Sequence, residues 1–181
     1  MKSCDDTFSR IITRLANLSF TEGRFPSRYK TTHVLPLLKK QGADRSSPTN
    51  YRPISNLPTI SKVLERLSLM QPRSHLLGGE NFCPLQSAYR AGHSTKTALV
   101  ELLNGVYTAG EKKQNMVVVG LDISAAFDTI CHDMLLERIN AEFRVSSVAS
   151  NWLASYLADC KQFVKIGQHS SPLVSCPSGV P

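Results

Sequence analysis

Cysteine is sparse and unpatterned in this chain. The five residues Cys4, Cys83, Cys131, Cys160 and Cys176 are odd in number, scattered over 181 positions and never spaced as Cys-x-x-Cys. That spacing excludes a disulfide framework and argues against a zinc ribbon. Long apolar runs are missing too: the longest strictly aliphatic or methionine run, Met116 to Val119, is far short of the ~20 residues a membrane helix needs. The Met1-Lys2-Ser3-Cys4-Asp5-Asp6 start lacks the apolar core of a signal peptide. These absences give the expectation of a soluble intracellular protein, nuclear or cytoplasmic and not secreted, with no membrane partner. The segment Gly92-His93-Ser94-Thr95-Lys96-Thr97 has neither glycine of a phosphate-binding P-loop, since Thr95 and Arg90 occupy those places. His33, His75, His93 and His169 have no nucleophile at a recognisable spacing, which leaves a triad hydrolase unsupported.

What the chain does have is charge, unevenly distributed. Lys plus Arg number 21 against 14 Asp plus Glu, for a net +7. Residues 1–100 carry +9 and residues 101–181 carry −2. Between Arg24 and Arg73 ten basic residues face only Asp44 and Glu65, a balance of +8. Such density suits a polyanion, nucleic acid or a nucleoside triphosphate, although a merely solvated basic surface has the same composition.

Hydrophobic content of 41% is that of a folding domain. Phe8, Ile11, Ile12, Leu15 and Leu18 recur at helical spacing behind Asp5 and Asp6 as candidate caps, and Gly23 supplies a stop. Thr32 to Leu38 reads as a strand, the polar stretch 41–50 as an exposed loop, and Tyr51 to Ser55 as the returning strand, which Pro53 confines to an edge. A helix is expected from Ile60 to Leu77, stopped by Gly78 and Gly79, followed by a loop to His93. Ser94 or Thr95 caps the next helix, which ends at Gly110. Met116 to Leu121, nearly all apolar and β-branched, predicts a strand buried on both faces that delivers Asp122 at its end. Helices around Met134–Ile139 and Val148–Leu157 precede a strand at Phe163–Ile166 and another around Leu173–Cys176.

A carboxylate placed by a buried strand is costly unless partnered, and a divalent cation with a phosphate substrate is the usual partner. Asp122 is therefore the leading functional candidate, with an N-cap role as the structural alternative. Asp128 either lines the same cleft or caps the next helix. Cys131-His132-Asp133 places three metal-capable side chains in a row, but adjacent residues rarely ligate one ion, so a structural role is expected.

Four motifs stand in order: Asn50-Tyr51-Arg52-Pro53-Ile54-Ser55, Gln86-Ser87-Ala88-Tyr89-Arg90-Ala91-Gly92-His93-Ser94-Thr95, Leu121-Asp122-Ile123-Ser124-Ala125-Ala126-Phe127-Asp128-Thr129 and Ser178-Gly179-Val180-Pro181. With this order and spacing, from about Phe25 to Pro181, the chain resembles the reverse transcriptases of non-LTR (LINE-type) retrotransposons, and looks like a Jockey- or CR1-like member. The resemblance implies an α+β fold comprising the fingers and part of the palm of a right-hand polymerase. It implies an N-terminal helix over 1–24, a fingers-like region over 25–110 and a partial palm over 111–181. Asp122 would match the first catalytic aspartate, a ligand of both Mg²⁺ ions in two-metal phosphoryl transfer, with the Ile123 carbonyl as a further metal contact. Arg52 would match the fingers arginine that clamps the incoming triphosphate, with Lys39 or Lys40 at the fingers lysine, and Phe127 would match the aromatic gate against a ribose 2′-hydroxyl. The implied partners are an RNA template, a DNA primer and deoxynucleoside triphosphates.

Two departures qualify that match. Cys131 replaces the Asp that commonly precedes the palm histidine. The sequence also reaches Pro181 before the Gln-Gly motif and the Ala-Asp-Asp strand with the remaining catalytic carboxylates, so a truncated, inactive fragment of an RNA-directed DNA polymerase is expected. The alternative is a non-catalytic nucleic-acid-binding remnant of a mobile element. Under either reading, affinity for nucleic acid should fall steeply between ~50 and ~200 mM salt as phosphate counterions are released. Filter binding or fluorescence anisotropy across that range checks this, and a flat profile would mean that the basic excess is only a solvated face.

Overall fold

The computed structural model describes residues 2–180, and side chains for residues 6–180. Pro181 of the fourth motif and the side chains of Cys4 and Asp5 thus lie outside the described residues. Helix α1 (Lys2–Glu22) starts ahead of the two candidate caps, so Asp6 sits within its first turns. Its buried face is Ile12, Ala16 and Ser19, at spacings of four and three, while Phe8, Ile11 and Leu18 remain exposed. Gly23 ends it with φ +61°, and a Cβ there would stand 3.0 Å from the Val148 carbonyl oxygen, so both the turn and the close approach require glycine.

A 3₁₀ turn (Ser27–Tyr29) leads into β1 (Thr31–Leu38), and a second (Pro48–Asn50) into β2 (Tyr51–Asn56). The helix expected to run to Leu77 is instead two, α2 (Thr59–Met70) and α3 (Arg73–Gly78). Pro72 lies between them, and a proline has no N–H to continue the ladder. Next come α4 (Thr95–Glu111), α5 (His132–Phe143), α6 (Ser147–Leu157), β3 (Lys161–Ile166), β4 (His169–Ser170) and β5 (Val174–Ser175). Ser94 is the cap of α4: its Oγ accepts from the Thr97 N–H at 3.3 Å, and Thr97 Oγ1 accepts from the Ser94 N–H at 2.8 Å. No helix among the described residues is long and apolar enough to cross a membrane.

The sheet runs β2-β1-β3-β4, with β5 also paired to β3. β1 is antiparallel to β2 and parallel to β3, matching Thr31 with Lys161 and Val34 with Val164. Pro36 faces Pro53 across the hairpin. The Lys39 N–H bonds the Asn50 carbonyl at 2.8 Å, which fixes the phase of the antiparallel ladder. In that phase Pro36 and Pro53 form a non-hydrogen-bonded pair whose nitrogens point away from each other. Pro53 costs no bond because it looks out from the edge strand, as expected. Pro36 looks towards β3 with no donor to offer, and the β1–β3 pairing stops at Val34.

The chain divides into two compact units, one made of everything up to Leu76 and from Ala125 onward, the other of Leu77–Ser124. The core of the first contains Ala16, Phe25, Leu64 and Trp152, with Phe20 and Tyr156 packed against them. The Phe25 ring meets Trp152 edge-on at 5.5 Å and Tyr156 edge-on at 5.0 Å. Two polar side chains of this core are linked: Trp152 Nε1–H donates to Ser19 Oγ at 2.9 Å, and Ser19 Oγ–H to the Arg24 carbonyl at 2.6 Å. The buried Lys30 ammonium donates to the Ser155 carbonyl and, at 3.0 Å, to that of Ala158, capping the end of α6. In the second unit, no residue of α4 is buried. The strand expected at Met116–Leu121 is not formed. That run is irregular and exposed, Leu121 at 91%, because among the described residues no neighbouring strand bonds to it.

Tyr156 donates to Glu65 Oε1 at 2.9 Å. Burial pushes the Glu65 carboxyl above its ordinary value of 4.5, opposed by the tyrosine hydrogen bond and by Lys62. The folded state therefore keeps a proton that the unfolded chain has lost, so this stabilisation is complete below pH 4.5 and fades as the pH rises through the elevated range. Glu65→Gln retains the acceptor for Tyr156 without titrating. Its melting temperature should fall less than that of the parent between about pH 4 and about pH 7, read by thermal denaturation at a series of pH values.

Candidate functional site

The hairpin of β1 and β2 carries three of the sequence candidates at one end. Arg52 pairs with Leu37, and Lys39 lies two positions beyond Leu37, so the alternation of the strand puts Lys39 and Arg52 on the same face. Lys39 Nζ donates to the Thr49 carbonyl at 2.8 Å, which ties the cation to the returning loop. Lys40 follows at the exposed bend. The loop is ordered by its own polar groups: Ser46 N–H bonds Asp44 Oδ1 at 2.9 Å, and Asn50 Nδ2–H bonds the Asp44 carbonyl at 2.9 Å. The Ser46 hydrogen bonds hold the Asp44 carboxyl below its usual range. The same face carries His33 stacked on Phe163 at 5.4 Å, together with exposed Leu35 and Ile54.

The opposite face of the sheet floors a cleft of about 450 Å³, where Thr32, Val34, Ser55 and Gln162 contribute. Its rim is built where two sequence motifs meet. The turn after Ala125 closes with Asp128 N–H on the Ala125 carbonyl at 2.9 Å, and the segment Ser178-Gly179-Val180 docks on it. The Gly179 N–H bonds the Ile130 carbonyl at 2.8 Å, and the Val180 N–H bonds that of Phe127 at 3.1 Å. His132 Nε2 stands 2.6 Å from the Gly179 carbonyl. A carbonyl only accepts, so Nε2 carries the hydrogen in this contact. Gly179 has φ +82°, and a Cβ on it would lie 3.0 Å from the Asp128 carbonyl oxygen and 3.1 Å from the Phe127 oxygen.

Neither alternative offered for Asp128 is found as stated, since Asp122 is not among the residues lining this cleft. Asp128 lines the cleft, while the N-cap of α5 is Cys131, which makes no side-chain capping bond. Phe127 sits in the turn with its side chain 55% exposed. Asp122 and Ile123 belong to the other unit and are exposed, immediately after the irregular run Met116–Leu121 that the sequence suggested as a strand. The structure thus brings Lys39 and Arg52 together, and separately joins the Phe127 turn to Ser178–Val180. Among the described residues no three His, Cys, Asp or Glu side chains group as a metal site. Mg²⁺ keeps several waters and takes further oxygens from substrate phosphates, binding through one or two carboxylates, so Asp122 with the Ile123 carbonyl fits as part of such a site. Residue reasoning gave His132 no specific contact; its pairing with Gly179 carries no signal in the local sequence.

Known proteins give context to this geometry. The profile of the family described as reverse transcriptase (RNA-dependent DNA polymerase) matches residues 38–181. A probable RNA-directed DNA polymerase from transposon BS of Drosophila melanogaster is 31% identical over 158 residues, covering 87% of this chain and 17% of that protein. The RNA-directed DNA polymerase from the mobile element jockey of the same species is 26% identical over 176 residues, 97% of this chain and 19% of its own length. The Pol polyprotein from the type-1 retrotransposable element R2 of Popillia japonica is 25% identical over 170 residues, 94% of this chain and 23% of its own. The chain therefore spans about a fifth of the length of these curated relatives.

Gly179→Ala should loosen the rim without unfolding the core. A left-handed backbone costs a residue with a Cβ ~1–2 kcal/mol, and the clash with the 127–128 backbone adds to it. Hydrogen exchange at the Val180 amide should then quicken about tenfold or more, while that of α6 stays unchanged.

Proposed function

The chain belongs to the reverse transcriptase (RNA-dependent DNA polymerase) family, and we propose that it supplies the fingers and the first palm motif of a polymerase that copies RNA into DNA for a non-LTR mobile element. In this reading residues 25–110 act as fingers and residues 111–181 as the first part of the palm, inside the cell. The observation that carries it is the hairpin: Lys39 and Arg52 lie on one face with the exposed Lys40 next in the chain, a basic end that would receive the triphosphate. An arginine fork binds phosphate oxygens bidentately, and lysine adds point charge, so the hairpin orients the nucleotide and offsets the charge that develops on the leaving pyrophosphate. Phe127 serves as the gate beside the sugar, rejecting a 2′-hydroxyl by overlap and by leaving it unpaired. Its turn is held by Ser178–Val180 through Gly179, and His132 fixes that segment.

Asp122 would give one carboxylate, and the Ile123 carbonyl one oxygen, to the divalent metal of the complete enzyme, which supplies electrostatic stabilisation of phosphoryl transfer when bound. The other carboxylates of the family motif Ala-Asp-Asp do not occur in the 181 residues.

Primer extension tests the reading. The 181-residue chain should give no extension on a primed RNA template with Mg²⁺ or Mn²⁺. Joined to the downstream palm and thumb of a jockey-type relative, it should extend, and Asp122→Asn should abolish that activity, whereas Asp128→Asn should lower it far less. Phe127→Val should raise ribonucleotide incorporation with melting temperature preserved. Undiminished extension by Asp122→Asn, or lowered stability with unchanged sugar preference in Phe127→Val, would overturn the corresponding role.

A further inference from the structure

The chain keeps two cysteines face to face across a ladder. Lys161 pairs with Ser175 and Gln162 with Val174, so one step back along the same antiparallel register Cys160 stands opposite Cys176. The bond from the Cys176 N–H to the Cys160 carbonyl, 2.9 Å, makes them a hydrogen-bonded pair. The Cα atoms of such a pair lie about 5.5 Å apart. Disulfides form most often at Cα separations of about 5.5–6 Å. Both residues line the same cleft, which puts their side chains on one face of the sheet. The two lie outside any Cys-x-x-Cys spacing, and their pairing follows from the strand register.

We propose that Cys160 and Cys176 are a reversible disulfide site, closed by exchange with a small-molecule disulfide of the glutathione class. Cys160 is buried, whereas Cys176 is only partly so, which makes Cys176 the more accessible thiol of the two. The Cys176 sulfur, as thiolate, attacks one sulfur of the reagent; a mixed disulfide forms, and one glutathione thiol leaves with the proton. The Cys160 sulfur then attacks the Cys176 sulfur, the Cys160–Cys176 bond forms, and the second glutathione leaves as a thiol. The protein loses two electrons and two protons, and the reagent disulfide gains them. Burial raises both thiols above their ordinary range, so exchange is slow near neutrality and quickens with pH. The bond would pin β5 to β3 immediately before Pro177, and through it the Ser178–Val180 segment that docks on the Phe127 turn. Cys83 and Cys131 are exposed and lie outside the strands, so they have no cross-strand cysteine as resolving partner.

The test uses the chain as it is. After incubation with oxidised glutathione at mildly alkaline pH and digestion without reductant, mass spectrometry should find the Cys160 and Cys176 peptides joined, lighter by two hydrogens and released by dithiothreitol. Cys83 and Cys131 should carry glutathione. In Cys160→Ser, Cys176 should retain glutathione, because its resolving thiol is gone. A stable glutathione adduct on Cys176 of the unaltered chain, or free thiols at both Cys160 and Cys176 while Cys83 and Cys131 are modified, would overturn the proposal.

Discussion

One buried hydroxyl coordinates the larger unit. Ser19 Oγ accepts from the Trp152 indole and donates to the Arg24 carbonyl, so a helix at the start of the chain, a helix near its end and the turn between α1 and β1 share a single oxygen. An unpaired buried donor costs about 1–3 kcal/mol, and here both neighbours would lose their partner together. The consequences run outward from that atom. With the turn after α1 fixed, Phe25 meets Trp152 and Tyr156, its N–H reaches Ser155 Oγ at 2.9 Å, and Lys30 arrives at the open carbonyls of α6. β1 begins at the next residue, and its position sets where the hairpin cations stand.

The parallel pairing of β1 with β3 closes the unit over a long stretch of chain, and such non-local contacts are invisible to a local reading. The elements themselves were largely legible, because Ser94, Gly23, Pro53 and the spacing in α5 and α6 act within a few residues of where they stand. Where the reading failed, the cause was also physical. Pro72 interrupts an apolar rhythm that otherwise suits one helix. Met116 to Leu121 has the composition of an interior strand, but composition records a preference, and a strand exists only where a neighbour accepts its hydrogen bonds.

The site was readable in part. Arg52 and Lys39 belong to one local hairpin whose strands and loop are legible locally, whereas their roles came only from the family resemblance. The meeting of the Phe127 turn with Gly179 depends on approach between distant segments. Glycine at 179 was visible as a motif letter; the reason for it is a left-handed backbone pressed against two carbonyls, a long-range contact with no local signature.

Proline at position 53 governs how the hairpin can be approached. Along the outer side of β2 the residues whose N–H groups look outward are Tyr51, Pro53 and Ser55. The Tyr51 N–H is already taken by the Pro48 carbonyl and Pro53 has none, which leaves Ser55. A rim with so few donors gives an incoming backbone no ladder to extend, so main-chain annealing is closed off there. Whatever meets this margin must be recognised through side chains, and the side chains presented near its tip are cations.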